Sequence, residues 1–140
     1  MAVQFFFLVN NISLTNRTAL KKYIPSIFKR EKKTLESLTY IFCSDDYLLE
    51  INRTHLIHDF YTDIITFDLS EVKSNIVGEI YISTDRVRDN ASKLGTTLKE
   101  ELHRVIFHGA LHLCGYGDKT AKEEKEMRNE EGRHLNQYFK

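Results

Sequence analysis

The sequence has few of the residues that interrupt or cross-link a chain. Its 140 residues include one proline, six glycines and two cysteines. Two cysteines exclude a disulfide framework, and we therefore expect a protein of the reducing cytoplasm. No apolar run approaches the roughly 18 residues of a membrane-spanning helix. The apolar residues 3–9 lack the basic leader and cleavage site of a secretion signal, so we interpret them as a buried strand.

The chain also lacks internal repeats and low-complexity linkers. A length of 140 residues is enough for one hydrophobic core and too short for two domains. The few glycines and the single proline leave little room for flexible connections. We predict one domain that spans residues 1–140.

The formal net charge is zero, but the charges are unevenly distributed along the chain. Residues 1–33 contain seven Lys or Arg and one acidic residue, whereas residues 34–85 contain two and ten. A basic segment suits a phosphate backbone, but it is also typical of a solvated helix face, and the sequence does not separate these interpretations. The residues concerned are Lys21, Lys22, Lys29, Arg30, Lys32 and Lys33.

Apolar periodicity predicts four short strands and five helices. Thr15 or Asn16 is the expected cap of the first helix, and Pro25 is expected to kink or restart it. Ser44 and Thr97 are the expected caps of two later helices. The pattern indicates an α+β fold with a small mixed four-stranded sheet packed with helices. The predicted strands are residues 3–9, 37–43, 63–69 and 76–83, and the predicted helices are residues 16–33, 45–56, 85–94, 97–114 and 121–138.

The segment HGALHLCGYGD, residues 108–118, carries the clearest chemical pattern in the chain. His108 and His112 are one helical turn apart, so both imidazoles can point at one metal ion. Gly115 ends the helix, and the following turn can bring Asp118 back to the same point. Two nitrogens, one carboxylate and a fourth position open for water are a suitable ligand set for catalytic zinc. On spacing alone, ordinary surface or core histidines are the alternative; the turn with Asp118 favours a metal site.

The same segment lacks the glutamate of the metalloprotease signature H-E-x-x-H. Gly109 occupies that position, so the general base of such peptidases is missing there. The glycine indicates instead that a packed backbone or a substrate approaches the helix closely. A metal hydrolase acting on peptide or amide bonds is the alternative class of enzyme, and Gly109 argues against it.

The segment resembles the signature H-G-x-L-H-L-x-G-Y-D-H of the YbeY family of bacterial metal-dependent endoribonucleases. Residues 51–69 are similar to the family's stretch L-N-x-x-[aromatic]-R-x-x-D-x-x-T-D-V-L-S-F, and GEIYIS at residues 78–83 is similar to its strand G-D-I-x-I-S. With EEKEM near the C terminus, the resemblance extends over nearly the whole chain. The matching positions are Asn52, Asp59, Thr62, Asp63, Phe67, His108, Gly109, Leu111, His112, Leu113, Gly115 and Tyr116.

The resemblance implies a zincin-like hydrolase domain with one zinc ion per chain. The implied ligands are His108, His112 and Asp118, which act through the metal and its water. The implied activity is hydrolytic cleavage of single-stranded RNA, in maturation of the 3′ end of small-subunit ribosomal RNA and in ribosome quality control. The implied partners are ribosomal RNA precursors and the small ribosomal subunit, with no membrane.

This sequence departs from the family pattern at two positions. Asp118 stands where the family has its third histidine, and a carboxylate is a legitimate zinc ligand. Leu56 stands where the family has an arginine that assists catalysis or phosphate binding. Arg53, His55 and His58 are nearby substitutes for that arginine, and a set of solvated loop residues is the alternative interpretation.

Four further residues have a predicted role. Thr62 and Asp63 open the third predicted strand, where they either hydrogen-bond a histidine ligand or cap the strand entry. We expect His103 to be structural and His134 to lie on the surface. The vacant arginine position at Leu56 also leaves open a second alternative function, a non-catalytic ribosome-associated factor in which the metal holds the turn together.

Overall fold

The structure, a computed structural model, describes residues 2–140 and has an α+β architecture. The described residues form strands β1 (Val3–Phe7), β2 (Thr34–Cys43), β3 (Ile64–Asp68) and β4 (Asn75–Ser83), and helices α1 (Arg17–Arg30), α2 (Asp45–His55), α3 (Thr84–Leu94), α4 (Leu98–Leu113) and α5 (Ala121–Tyr138). The strand order is β1-β2-β4-β3. β2 pairs in parallel with β1 and β4, whereas β3 is antiparallel to β4, so the predicted mixed four-stranded sheet is confirmed. In this part of the chain no helix is both long enough and apolar enough to cross a membrane.

Side-chain caps fix the beginning of two helices that matter for the site. The Ser44 hydroxyl accepts a hydrogen bond from the backbone N–H of Tyr47, and the Thr97 hydroxyl accepts one from Glu100. Each bond satisfies an N–H group that has no partner in the first turn of a helix. Both predicted caps are therefore confirmed. Asn16 stands at the predicted cap position of α1, in the left-handed conformation (φ 56°), but its side chain makes no capping hydrogen bond.

The boundaries of α1 and β2 differ from the prediction for local reasons. Pro25 lies inside α1, which continues through it as one helix, so the proline does not restart the helix. The helix ends before Lys32, whose left-handed backbone (φ 62°) cannot continue it. β2 begins at Thr34, and its pairing with β4 shifts register between Leu35 and Ser37. This irregularity breaks the alternation by which the sequence marks a strand.

Helix α4 packs against the sheet and against α1, α3 and α5, and these contacts hold the helix that carries both histidines in place. A Cβ atom added at Gly109 would lie 2.7 Å from Cδ1 of Ile80 and 3.1 Å from Cδ1 of Ile64. The glycine thus allows α4 to approach β3 and β4 closely. The close neighbours of Gly109 are side chains of the sheet.

The surface position predicted for His134 is wrong. Its side chain is 2% exposed, and its Nδ1 atom lies 2.6 Å from the hydroxyl of Tyr23 on α1. Burial lowers the pKa of His134 to about 4, so the imidazole is neutral at physiological pH. His103 is buried as well, and its Nδ1 bonds the carbonyl of Lys99, which confirms its structural role.

Candidate metal centre

The two histidines of α4 stand on the wall of a cleft of about 740 Å³. The ring centroids of His108 and His112 are 5.9 Å apart. His108 is largely shielded, with 15% of its side chain exposed, whereas His112 is open to solvent. The loop before β3, the turn after α4 and one face of α5 form the rest of the cleft. Both imidazoles are therefore accessible from the same space.

Each histidine is held by its Nδ1 atom. Nδ1 of His108 lies 2.6 Å from Oε2 of Glu131, and Nδ1 of His112 lies 2.7 Å from the backbone carbonyl of Tyr116. A carboxylate and a carbonyl can only accept hydrogen bonds here, so both Nδ1 atoms must donate. A neutral imidazole that donates through Nδ1 keeps its free lone pair on Nε2. This is the usual arrangement of a histidine that binds a metal through Nε2.

Asp118 lies in the turn after α4, next to the first histidine. Its Oδ2 atom is 3.5 Å from Nε2 of His108. Two ligands at about 2.1 Å from a tetrahedral zinc ion are about 3.4 Å apart, so this separation fits a shared metal. Gly117 leaves room for the carboxylate of Glu123, since a Cβ atom there would lie 2.5 Å from its Oε2. That carboxylate accepts hydrogen bonds from the backbone at the start of α5.

Among the predicted ligands, His108 lies close to both His112 and Asp118, but the three side chains are not gathered around one metal position. Within residues 2–140, no three His, Cys, Asp or Glu side chains are gathered closely enough to form a metal site as they stand. The side chain of Asp118 is 43% exposed and lies in a turn, so it is the ligand with the least fixed position. The chemistry of the set, two imidazole nitrogens and one carboxylate, fits zinc. The ligand set stays a prediction.

A buried network of charges supports His108 from behind. Glu131 is 2% exposed, and it accepts a hydrogen bond of 2.9 Å from Nη1 of Arg104 as well as that from His108. Arg104 also pairs with Glu101, which is 1% exposed. Burial acts to raise the pKa of Glu131, but the bonds from His108 and Arg104 outweigh it, and the pKa is lowered. Glu131 is thus an ionised carboxylate that fixes the orientation of His108.

The sequence-based prediction missed Glu131. The signal that marks it is its position on α5, because Met127 and Glu131 are one turn apart and His134 follows, and all three are buried. An acidic residue in an otherwise core-facing stripe requires a cationic or hydrogen-bonding partner. The partners of Glu131 are His108 and Arg104 on α4, which lie 23 and 27 residues earlier in the chain.

Thr62 and Asp63 lie in the cleft but bond other groups than the histidines. Asp63 accepts a hydrogen bond of 3.2 Å from Nδ2 of Asn90, and the Thr62 hydroxyl lies 3.4 Å from the carbonyl of Ile64. Burial raises the pKa of Asp63, and the nearby Arg104 works against that shift. The two histidines are held instead by Glu131 on α5 and by the carbonyl of Tyr116 in the turn after α4.

The loop that corresponds to the family's arginine-containing segment places only some of the predicted substrate-binding residues in the cleft. Leu56 and His58 line the cleft, and His58 stacks on Phe60. Asn52 is buried, and its Nδ2 donates a 2.8 Å hydrogen bond to the carbonyl of Phe60, which holds the loop. Arg53 forms an ion pair with Asp59 and is exposed outside the cleft lining.

The third predicted substitute, His55, and the basic residues of α1 lie outside the cleft lining. His55 packs its ring edge-on against Phe67, on the side of the sheet that α2 covers. The cationic side chains that line the cleft belong to α4 and α5. These cations are Arg104, Lys125 and Arg128.

Comparison with known proteins gives a consistent result. The sequence profile of the family "Endoribonuclease YbeY" matches residues 9–139. The chain is 54% identical over 128 residues to the Endoribonuclease YbeY of Cytophaga hutchinsonii, which covers 91% of this chain and 90% of that protein. It is 43% identical to the protein of the same name from Christiangramia forsetii, over 90% of this chain and 87% of that one.

A solved structure agrees with these relatives. The solution structure of TM1509 from Thermotoga maritima superposes with a TM-score of 0.66 at 27% identity, over 98% of this chain and 89% of that one. The profile match and the identity to full-length relatives extend across the cleft and both walls that hold the histidines. The chain belongs to the YbeY family.

Proposed function

We propose that this chain is a zinc-dependent endoribonuclease that cleaves single-stranded RNA. His108, His112 and Asp118 are the proposed ligands of one zinc ion. One observation carries the proposal: both histidines have Nδ1 bonded to an acceptor, which leaves two Nε2 lone pairs one turn apart in an open cleft. Membership of a family whose named relatives are endoribonucleases supports the nuclease activity.

The residues of this chain prepare the site for phosphodiester cleavage. When bound, zinc lowers the pKa of water and stabilises negative charge on a phosphoryl oxygen. Glu131 keeps His108 in the tautomer that offers Nε2, and the carbonyl of Tyr116 does the same for His112. Asp118 supplies the anionic oxygen of the set and lowers its net positive charge compared with a third imidazole.

The rim of the cleft suits an unpaired strand. His58 and Phe60 are both exposed, and their rings stack with centroids 5.2 Å apart and an angle of 22° between planes. Exposed aromatic surfaces bind single-stranded nucleic acid because every unpaired base offers a π face. Bases in a duplex are stacked on one another and cannot use such a surface.

The ribosomal substrate rests on the family resemblance. We propose that the RNA is a precursor of small-subunit ribosomal RNA, cut near its 3′ end, and that the small ribosomal subunit is the partner. A cytoplasmic location follows from that substrate, because ribosomes are assembled there. The exposed rings of His58 and Phe60 support binding of a single-stranded RNA without selecting a sequence.

A peptide or amide hydrolase is the less favoured alternative. Its general base would stand at Gly109, but Ile80 and Ile64 of the sheet already fill the space beside that position. The observation behind the non-catalytic alternative, in which the metal only stabilises the turn, is that Leu56 stands where the family has an arginine. One set of assays separates all three functions.

Protein loaded with one equivalent of zinc is expected to cleave a labelled single-stranded oligoribonucleotide, which a denaturing gel measures. The same strand annealed to its complement and a labelled peptide are expected to stay intact. Chelation should stop cleavage and zinc should restore it. A folded, zinc-loaded protein that hydrolyses only the peptide would support the hydrolase of another class, and one that is inert on every substrate would support the non-catalytic factor.

A further inference from the structure

More acidic than basic side chains line the cleft. Asp63, Asp118, Glu124 and Glu131 line it, and a phosphodiester bond brings another negative charge. Phosphoryl transfer requires positive charge or hydrogen-bond donors at the non-bridging oxygens. Beside the proposed metal, the positive charge available for the substrate phosphate is that of the cationic side chains of the lining.

All three nitrogens of the Arg104 guanidinium already donate to carboxylates. Its Nε and Nη2 atoms donate to Glu101, and its Nη1 atom donates to Glu131. Its side chain is only 17% exposed. Those bonds hold the support of His108, so Arg104 has no planar pair of donors left to turn toward a substrate.

Arg128 is in a different state. It lines the same cleft, its side chain is 62% exposed, and its one charged neighbour is reached at 3.5 Å, between Nη1 and Oε1 of Glu131. A guanidinium has five N–H donors, and most of those of Arg128 are open to the cleft. Lys125 is also exposed and lines the cleft one turn earlier on α5.

Arg128 and His108 lie on the two oxygens of one carboxylate, that of Glu131. One oxygen of that carboxylate bonds Nδ1 of His108, and the other faces Arg128. The carboxylate of Glu131 thus lies between the Arg128 guanidinium and the imidazole of His108, whose Nε2 atom is the proposed metal ligand. An arginine at this place matches the two oxygens of a phosphate in a bidentate pair.

We propose that Arg128 binds the phosphate of the RNA at the site of cleavage, with Lys125 as a point charge for a neighbouring phosphate. This role is transferred to α5 from the loop, where Leu56 occupies the position of the family's arginine. The inference rests on the proposed function and names the residue through which the substrate is held. Arg53 is less suited to this role, because it lies outside the cleft lining and pairs there with Asp59.

The test is binding of a fluorescein-labelled single-stranded oligoribonucleotide to chelator-treated protein, measured by anisotropy at several salt concentrations. Arg128→Ala is expected to raise Kd about tenfold or more, because a charge-assisted contact is lost. The slope of log K against log salt should fall by about 0.7, the value for one phosphate contact on a single strand. Arg128→Lys should keep the slope and lose part of the affinity.

Two control variants sharpen the result. Lys122→Ala, exposed on α5 but outside the cleft lining, and Arg53→Ala should bind RNA like the wild type. Leu56→Arg in the Arg128→Ala background should restore part of the affinity and of kcat/KM. Melting temperatures should be equal throughout, since the changed side chains are exposed.

The outcomes separate this inference from the proposed function. Wild-type protein that cleaves RNA, together with an Arg128→Ala variant of unchanged Kd, salt slope and kcat/KM, overturns the role of Arg128 and leaves the nuclease intact. An Arg53→Ala variant with the loss expected of Arg128→Ala assigns the role to the loop. Wild-type protein that neither binds nor cleaves RNA overturns both proposals.

Discussion

Replacement of Glu131 by alanine is expected to lower the free energy of unfolding by about 3–5 kcal/mol, the range for removing one partner of a buried ion pair. The variant leaves Arg104, which is 17% exposed, with Glu101 as its remaining partner. It also removes the acceptor for Nδ1 of His108. Zinc affinity should fall about 10- to 100-fold, because the bond that fixes the tautomer and ring orientation is lost.

The measurements are urea unfolding of metal-free protein and zinc binding by calorimetry. Glu126→Ala is the matched control, since Glu126 is an exposed acid on the same helix, and it should change neither quantity by much. Glu131→Gln keeps an acceptor oxygen and should stay folded if the alanine variant does not. Wild-type stability and wild-type zinc affinity in Glu131→Ala would show that the network has no supporting role.

Asp118→Ala is expected to reduce RNA cleavage by about 10²- to 10³-fold, the scale found when one preorganised electrostatic group is removed from an active site. Zinc affinity should fall in parallel. The fold should not change, because the side chain of Asp118 is 43% exposed and its Oδ2 atom approaches Nε2 of His108 only to 3.5 Å. Cleavage rate, zinc content and melting temperature are the three quantities to compare.

Asp118→His is the informative partner of that variant. A third imidazole restores a nitrogen ligand at the same place, so zinc binding should recover, as it should not in Asp118→Asn. Equal cleavage by wild type and Asp118→Ala would remove Asp118 from the ligand set. Loss of the fold in Asp118→Ala, with RNA left intact by the wild type, would favour the structural-metal alternative.

The histidine pair was predictable from the sequence because the relation between its members is local. His108 and His112 are separated by one helical turn, and the cap at Thr97 fixes where that helix begins. The partner of His112 is local too, since the carbonyl of Tyr116 is four residues away. Spacing within one helix and its turn determines all of these positions.

The support of His108 was not predictable in the same way. Glu131 lies 23 residues from His108 and 27 residues from Arg104, on a helix so rich in charge that a solvated face is the natural interpretation. Burial of those charges depends on pairing between two helices, and periodicity describes one helix at a time. The wrong surface position of His134 has the same cause, because its partner Tyr23 is on α1.

The order of the strands was likewise beyond local pattern. Apolar alternation marks a strand without naming its neighbour, and β2 lies between β1 and β4 through two parallel pairings that require long connections. The proposed phosphate-binding role of Arg128 on α5 likewise depends on the three-dimensional arrangement. Arg128 and Leu56 are far apart in sequence and line the same cleft.

We propose that one metal ion held by the two histidines of α4 carries the cleavage of RNA. Zinc content by mass spectrometry, together with cleavage of a single-stranded RNA, tests this on wild type and His112→Ala prepared in parallel. We expect one zinc and chelator-sensitive cleavage for the wild type, and loss of both in a folded His112→Ala. A metal-free wild type that is folded and cleaves RNA, or a His112→Ala variant that keeps both properties, would contradict it.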